Sequence, residues 1–66
     1  MQQTNYETRV AIVDYLEEVN KRVSITTLRK AFEQKGYDMS LLRDAIAILD
    51  DMGIVSIDSE LRVYLP

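Results

Sequence analysis

The chain contains no cysteine and no histidine, and it has only two glycines and one proline. Without cysteine there can be no disulfide framework and no thiolate zinc site. Without histidine, the commonest general base and the commonest metal ligand are both missing. The two glycines are isolated from each other, so a glycine-rich phosphate-binding loop is excluded as well. We therefore expect a protein that is not an enzyme, with no catalytic residues, no metal site and no cofactor.

Long apolar runs are also lacking, and Ala11-Ile12-Val13 is typical of the short runs that are present. This pattern predicts neither a signal peptide nor a membrane span. We expect a soluble, intracellular protein of the cytoplasm, nucleus or nucleoid. We expect neither a membrane nor a small-molecule substrate among its partners.

The length and the charge of the chain narrow the possibilities further. A chain of 66 residues buries only about 60% of its unfolded surface, which leaves room for one domain spanning residues 1–66. Its apolar content of 47% is that of a packed globular domain. Eleven acidic residues against eight basic ones give a net charge of −3. That sign is unfavourable for a protein that holds nucleic acid by bulk attraction.

Residues 4–20 have the pattern of a first helix. Thr4 and Glu7 have the spacing of a capping box, and neither glycine nor proline interrupts the residues that follow. The helical period predicts a buried face and, opposite to it, an acidic face. The residues expected on the buried face are Val10, Ile12, Val13, Leu16 and Val19.

A short strand and two further helices come next. Val23 and Ile25 bracket the polar Ser24, which is typical of an edge strand over residues 23–25. Thr26 or Thr27 is expected to cap a second helix that ends at Gly36. Asp38 is expected to cap a third helix over residues 39–52, with Gly53 as its stop. The apolar residues of this third helix form two stripes: Leu42, Ile46 and Leu49, and beside them Leu41, Ala45, Ile48 and Met52.

The end of the chain reads as a hairpin. Residues 54–57 and 61–65 are rich in β-formers, and the three residues Asp58-Ser59-Glu60 separate them. The short strand after the first helix can complete a three-stranded sheet. The expected fold is α+β, in the order α1-β1-α2-α3-β2-β3.

This order resembles the winged helix-turn-helix superfamily, in which the terminal hairpin is called the wing; here the wing is short and acidic. The stretch that looks like a recognition helix entering a wing is residues 40–55. In DNA-binding members the third helix lies in the major groove, while cations of the second helix and the wing hold phosphates. Other members bind proteins. The layout is similar to the C-terminal domain of the middle subunit of replication protein A. It is also similar to the C-terminal domains of replicative MCM helicases, through the turn Lys35-Gly36-Tyr37-Asp38 and the hairpin entry Gly53-Ile54-Val55.

Two functions stay open. On the third helix only Ser40 and Arg43 are residue types that suit DNA readout, and three aspartates accompany them. The leading hypothesis is a non-catalytic module that docks a protein partner, or a second copy in a homodimer, through the third helix and the wing. In one version its acidic surface imitates DNA. Its candidate residues are Leu41, Asp44, Ala47, Ile48 and Asp51, of which Leu41 and Ile48 either complete the core or stay exposed. The alternative is a small, dimeric transcriptional regulator that contacts duplex DNA through Arg29, Lys30, Ser40, Arg43 and Arg62.

Overall fold

The computed structural model describes residues 4–66 as three helices and a small antiparallel sheet. The sheet has the order β1-β3-β2, so the last strand lies in the middle. The expected order of elements is confirmed, and it is compatible with a winged-helix layout. The elements are α1 (Asn5–Val19), β1 (Val23–Ser24), α2 (Ile25–Gln34), α3 (Met39–Asp51), β2 (Ser56–Ile57) and β3 (Arg62–Tyr64).

Local capping signals set where the helices begin. The predicted capping box is present, since the Thr4 hydroxyl accepts from the Glu7 N–H and the Glu7 carboxylate accepts from the Thr4 N–H. Asp38 caps α3 by accepting from a backbone N–H of its first turn. The predicted cap of α2 at Thr26 or Thr27 is wrong. Ser24 caps it instead, because this last residue of β1 keeps an extended backbone and its hydroxyl accepts from the Thr27 N–H.

Both glycines end helices, as predicted. Gly36 follows α2 with φ +86° and Gly53 follows α3 with φ +75°, a backbone region that suits a residue without a Cβ. After α3, the N–H groups of Gly53 and Ile54 donate to carbonyls of its last turn, which is the Schellman arrangement. The Val55 N–H also donates to that turn. Residues 54 and 55 are therefore used to close the helix, and β2 begins only at Ser56.

The core lies between the helices and the inner face of the sheet. Val63 in the middle strand is opposite Val23 on one side and Ile57 on the other. The fully buried Ala45 lies on α3, which packs mainly against α1. The buried apolar residues are Ile12, Leu16, Val23, Leu28, Phe32, Leu42, Ala45, Ile46, Leu49, Val55 and Val63.

The expected buried face of α1 needs one correction. Val10 is 42% exposed, whereas Thr8 is completely buried. At about 100° per residue, Val10 lies about 160° from Ile12, on the acidic side of the helix. Thr8 lies one turn before Ile12, on the buried side, and its hydroxyl is satisfied by donating to the Thr4 carbonyl at 2.9 Å.

Candidate functional site

The outward side of α3 gathers most of the residues predicted to bind a protein. Asp44, Ala47, Ile48 and Asp51 are all exposed, and the helical period places them within an arc of about 100°. Leu41 lies at the edge of this arc and is half-buried. We call these five residues the docking face. It combines two carboxylates with the apolar side chains of Leu41, Ala47 and Ile48. Within residues 4–66, the one ion pair of Asp44 is a long contact of 3.9 Å to Arg43.

The second apolar stripe of α3 divides between the core and the surface. Ala45 is in the core, but Ile48 is 38% exposed and Met52 is 59% exposed. At Met52 this exposed stripe reaches α1, where the Arg9 guanidinium lies 4.0 Å from the Met52 sulfur and also faces the exposed Tyr6 ring. The docking face therefore continues into an apolar edge shared by α1 and α3.

A groove that adjoins the docking face brings together three of the residues predicted to contact DNA. Arg29 from α2 and Ser40 and Arg43 from α3 line an open cavity of about 390 Å³. The remaining lining residues are apolar: Ile25, Met39, Leu42 and Ile46. We call this cavity the α2–α3 groove. Lys30 does not line it and borders a smaller depression together with Arg29.

The tip of the wing is organised around one carboxylate. Asp58 accepts from the backbone N–H groups of Glu60 and Arg62, and from the side chains of Arg22 and Arg62, each at 2.9 Å. These bonds, foremost the one from the Arg62 N–H, lower the pKa of Asp58 from 3.8 to about 2, against the opposing effect of desolvation. Asp58 is thus a structural anion rather than a free acid of the wing, and Glu60 is the exposed acid.

This network gives the Arg62 side chain two carboxylate neighbours. Its guanidinium lies 2.9 Å from the Asp58 carboxylate and 3.6 Å from that of Glu60. Arg22 shares Asp58, and its guanidinium also stacks over the Tyr64 ring at 3.8 Å. Two cations near the wing, Arg22 and Arg62, therefore already have a carboxylate partner within the chain.

One feature of the wing was missed from the sequence. Leu61 has φ +59° and is 62% exposed. Its N–H donates to the Asp58 carbonyl, while the Asp58 N–H donates to the Arg62 carbonyl, which is a turn followed by a left-handed bulge residue. Glycine is the usual residue at such a position. In the structure the hairpin loop consists of the three residues that follow Asp58. The third residue of such a loop is the left-handed bulge residue, and here it is Leu61.

In the range of residues 4–66, no group of three or more acidic side chains is placed to hold a metal ion. No helix in this range has the length and apolar character needed to span a membrane.

No family model, no curated protein and no solved structure matches the chain.

Proposed function

We propose that the chain is a winged-helix domain without catalytic activity, which docks a protein partner through α3 and the wing. The observation that carries this proposal is the docking face, where the exposed Asp44 and Asp51 flank the exposed Ala47 and Ile48. This is the side of α3 that would have to approach the bases if the domain read DNA.

Electrostatics favour a protein over DNA at this face. Duplex DNA carries one negative charge for about every 1.7 Å of its axis, so two solvent-facing carboxylates on the inserted helix oppose binding. Arg62, which would have to offset them from the wing, is held by Asp58 and Glu60. A protein surface has no such uniform charge, and its cations can pair with Asp44 and Asp51 at the rim of an interface.

The apolar residues supply the other half of the argument. Protein interfaces have a desolvated apolar centre surrounded by a polar rim. Ile48 and Met52 provide exposed apolar area next to the two aspartates, and Ala47 leaves room for a partner side chain to approach the helix. A partner with a complementary apolar and basic surface fits this arrangement, and a DNA-binding protein whose site the aspartates would imitate is one such partner.

A DNA-binding regulator is the second candidate, and one observation favours it. Arg29, Ser40 and Arg43 line the same groove, so three residues that could contact a duplex lie together. In that function a dimer would double a small set of contacts. The apolar floor of the groove contributes nothing to phosphate binding, which is why we rank this function second.

Fluorescence anisotropy of a labelled duplex distinguishes the two functions. A DNA-binding protein shows non-specific affinity of about 10⁻⁴ to 10⁻⁶ M, which weakens steeply between about 50 and 200 mM salt. We expect no binding by the wild-type protein at the lower salt concentration. Salt-dependent binding that is lost in the Arg29→Ala and Arg43→Ala variants would overturn the docking function.

The docking face is tested with two variants of equal charge. Asp44→Lys/Asp51→Lys replaces two acids on the docking face, and Glu17→Lys/Glu18→Lys replaces two exposed acids of α1. In each, two negative groups become positive, so the net charge of −3 rises by four to +1. A photo-crosslinking residue at position 47 should capture the partner with wild type and with the α1 variant, and should fail with the α3 variant. Equal capture by all three would contradict the proposal.

A further inference from the structure

Leu61 combines two features that are unfavourable for an isolated wing. Its backbone is in the left-handed region at a turn position where glycine is usual, and 62% of its surface is exposed. Left-handed backbone in a residue with a Cβ costs free energy and is concentrated at functional positions. An exposed leucine held in this way presents an apolar knob at the tip of the wing.

The knob lies next to the α2–α3 groove of its own chain. The Ile25 N–H donates to the Leu61 carbonyl at 3.0 Å, and Ile25 is part of the apolar floor of the groove. The groove is also lined by two exposed arginines, Arg29 and Arg43. Glu60, the neighbour of Leu61, carries the opposite charge. Its contact with Arg62 is long, at 3.6 Å, and its side chain is 73% exposed, so it remains accessible to a second copy. One chain therefore holds an apolar knob with an acid beside it and an apolar groove with two cations beside it.

We propose that the occupant of the α2–α3 groove is the wing tip of a second copy of this chain. Leu61 of each copy enters the groove of the other, and Glu60 faces Arg29 and Arg43 across the interface. The knob and the groove adjoin on one surface, so each of two copies can insert its Leu61 into the groove of the other. The two contacts are then identical, as a two-fold interface requires.

This inference goes beyond the proposed function, since it assigns the wing tip and the α2–α3 groove to a second copy of the chain. It does not use the docking face, which stays open to another protein. Among the described residues, Arg29 is in no ion pair within 4.0 Å, and the long Arg43–Asp44 contact is between two highly exposed side chains, so both arginines are available to Glu60.

Sedimentation equilibrium over a concentration series, at low and at high salt, tests the dimer. We expect the mass of the wild-type protein to rise from one chain to two, and the dimer to weaken with salt because charge pairs contribute. Leu61→Asn keeps a residue that tolerates the left-handed backbone and removes the knob. It should raise the dissociation constant about a hundredfold, with two knobs lost per dimer. A wild type that stays monomeric, or a variant that associates like wild type, overturns the proposal.

Charge exchange between two variants is the sharper test. Glu60→Arg and Arg29→Glu/Arg43→Glu should each fail to self-associate, because like charges meet twice in each homodimer. An equal mixture should form a mixed dimer, in which both contacts again pair opposite charges. Lys30→Glu/Lys35→Glu is the control for the Arg29→Glu/Arg43→Glu variant. In both, the net charge falls by four, from −3 to −7, but the lysine variant should associate like wild type. A mixture that remains monomeric overturns the proposal, and so does association that needs added duplex DNA.

The same measurements separate this inference from the proposed function. Asp44→Lys/Asp51→Lys should still form the dimer, because neither aspartate belongs to the groove or the knob. A monomeric wild type removes the dimer and leaves docking on α3 intact. Partner capture that survives in the Asp44→Lys/Asp51→Lys variant removes the docking function and leaves the dimer intact.

Discussion

The backbone strain at Leu61 predicts an unusual order of stability between two variants. At an ordinary position, glycine is less stable than alanine by about 0.5–1 kcal/mol, because it loses more freedom on folding. At φ +59° the order should reverse. Left-handed backbone costs a residue with a Cβ about 1–2 kcal/mol, and the extra freedom of glycine in the unfolded chain offsets about 0.4–1 kcal/mol of that difference. We therefore expect Leu61→Gly to be more stable than Leu61→Ala by about 1 kcal/mol.

Both variants lose the leucine side chain beyond Cβ, so the packing of those atoms cancels in the comparison. The leucine is 62% exposed, and its remaining burial contributes about 1 kcal/mol, which lowers both variants alike. Thermal unfolding followed by circular dichroism, at low protein concentration and high salt to keep the chains monomeric, should place Leu61→Gly about 4–8 °C above Leu61→Ala. A Leu61→Ala variant as stable as Leu61→Gly, or more stable, would refute the left-handed geometry and with it the strain argument.

Two further predictions concern polar interactions, at Asp58 and at Thr8. Because the pKa of Asp58 is lowered from 3.8 to about 2, its ionised form stabilises the fold fully above about pH 5, and this contribution is lost as the pH falls towards 2. The stability advantage of wild type over Asp58→Asn, measured by urea unfolding, should therefore shrink between pH 5 and about pH 2; an advantage independent of pH would exclude the charged network. Thr8→Val should change the free energy of unfolding by less than about 1 kcal/mol, because the Thr4 carbonyl keeps the Thr8 N–H as a donor when the hydroxyl is lost. Chemical denaturation checks this, and a loss above about 2 kcal/mol would mean that the hydroxyl satisfies a group that valine leaves unpaired.

The candidate site was predictable in its charges and less so in its apolar residues. Asp44 and Asp51 are exposed, as carboxylates without a close ion-pair partner among residues 4–66 must be in a small domain. The helical period could place Ile48 beside Ala45 but could not show that one is exposed and the other buried, because that depends on how closely α1 approaches α3. The sequence shows that Arg62 is charged. Only the structure shows that its guanidinium is paired with the carboxylates of Asp58 and Glu60.

The limits of the helices and the order of the elements follow from the sequence itself. Thr4, Asp38, Gly36 and Gly53 act on backbone groups within a few residues, so their effect does not depend on the rest of the fold. Ser24, which the sequence pattern did not predict as a cap, also acts locally, because its hydroxyl accepts from the N–H of Thr27 three residues later.

The tertiary structure alone decided which surfaces the protein presents. Arg22 reaches Asp58 across 36 positions of the chain, and the Leu61 carbonyl meets Ile25 only because the sheet brings the wing against the start of α2. The helical period and the secondary-structure propensities of the residues describe one helix or strand at a time. The left-handed Leu61, the engaged Arg62 and the α2–α3 groove arise from contacts between elements, because the packing of one element against another determines which side chains remain available to a partner.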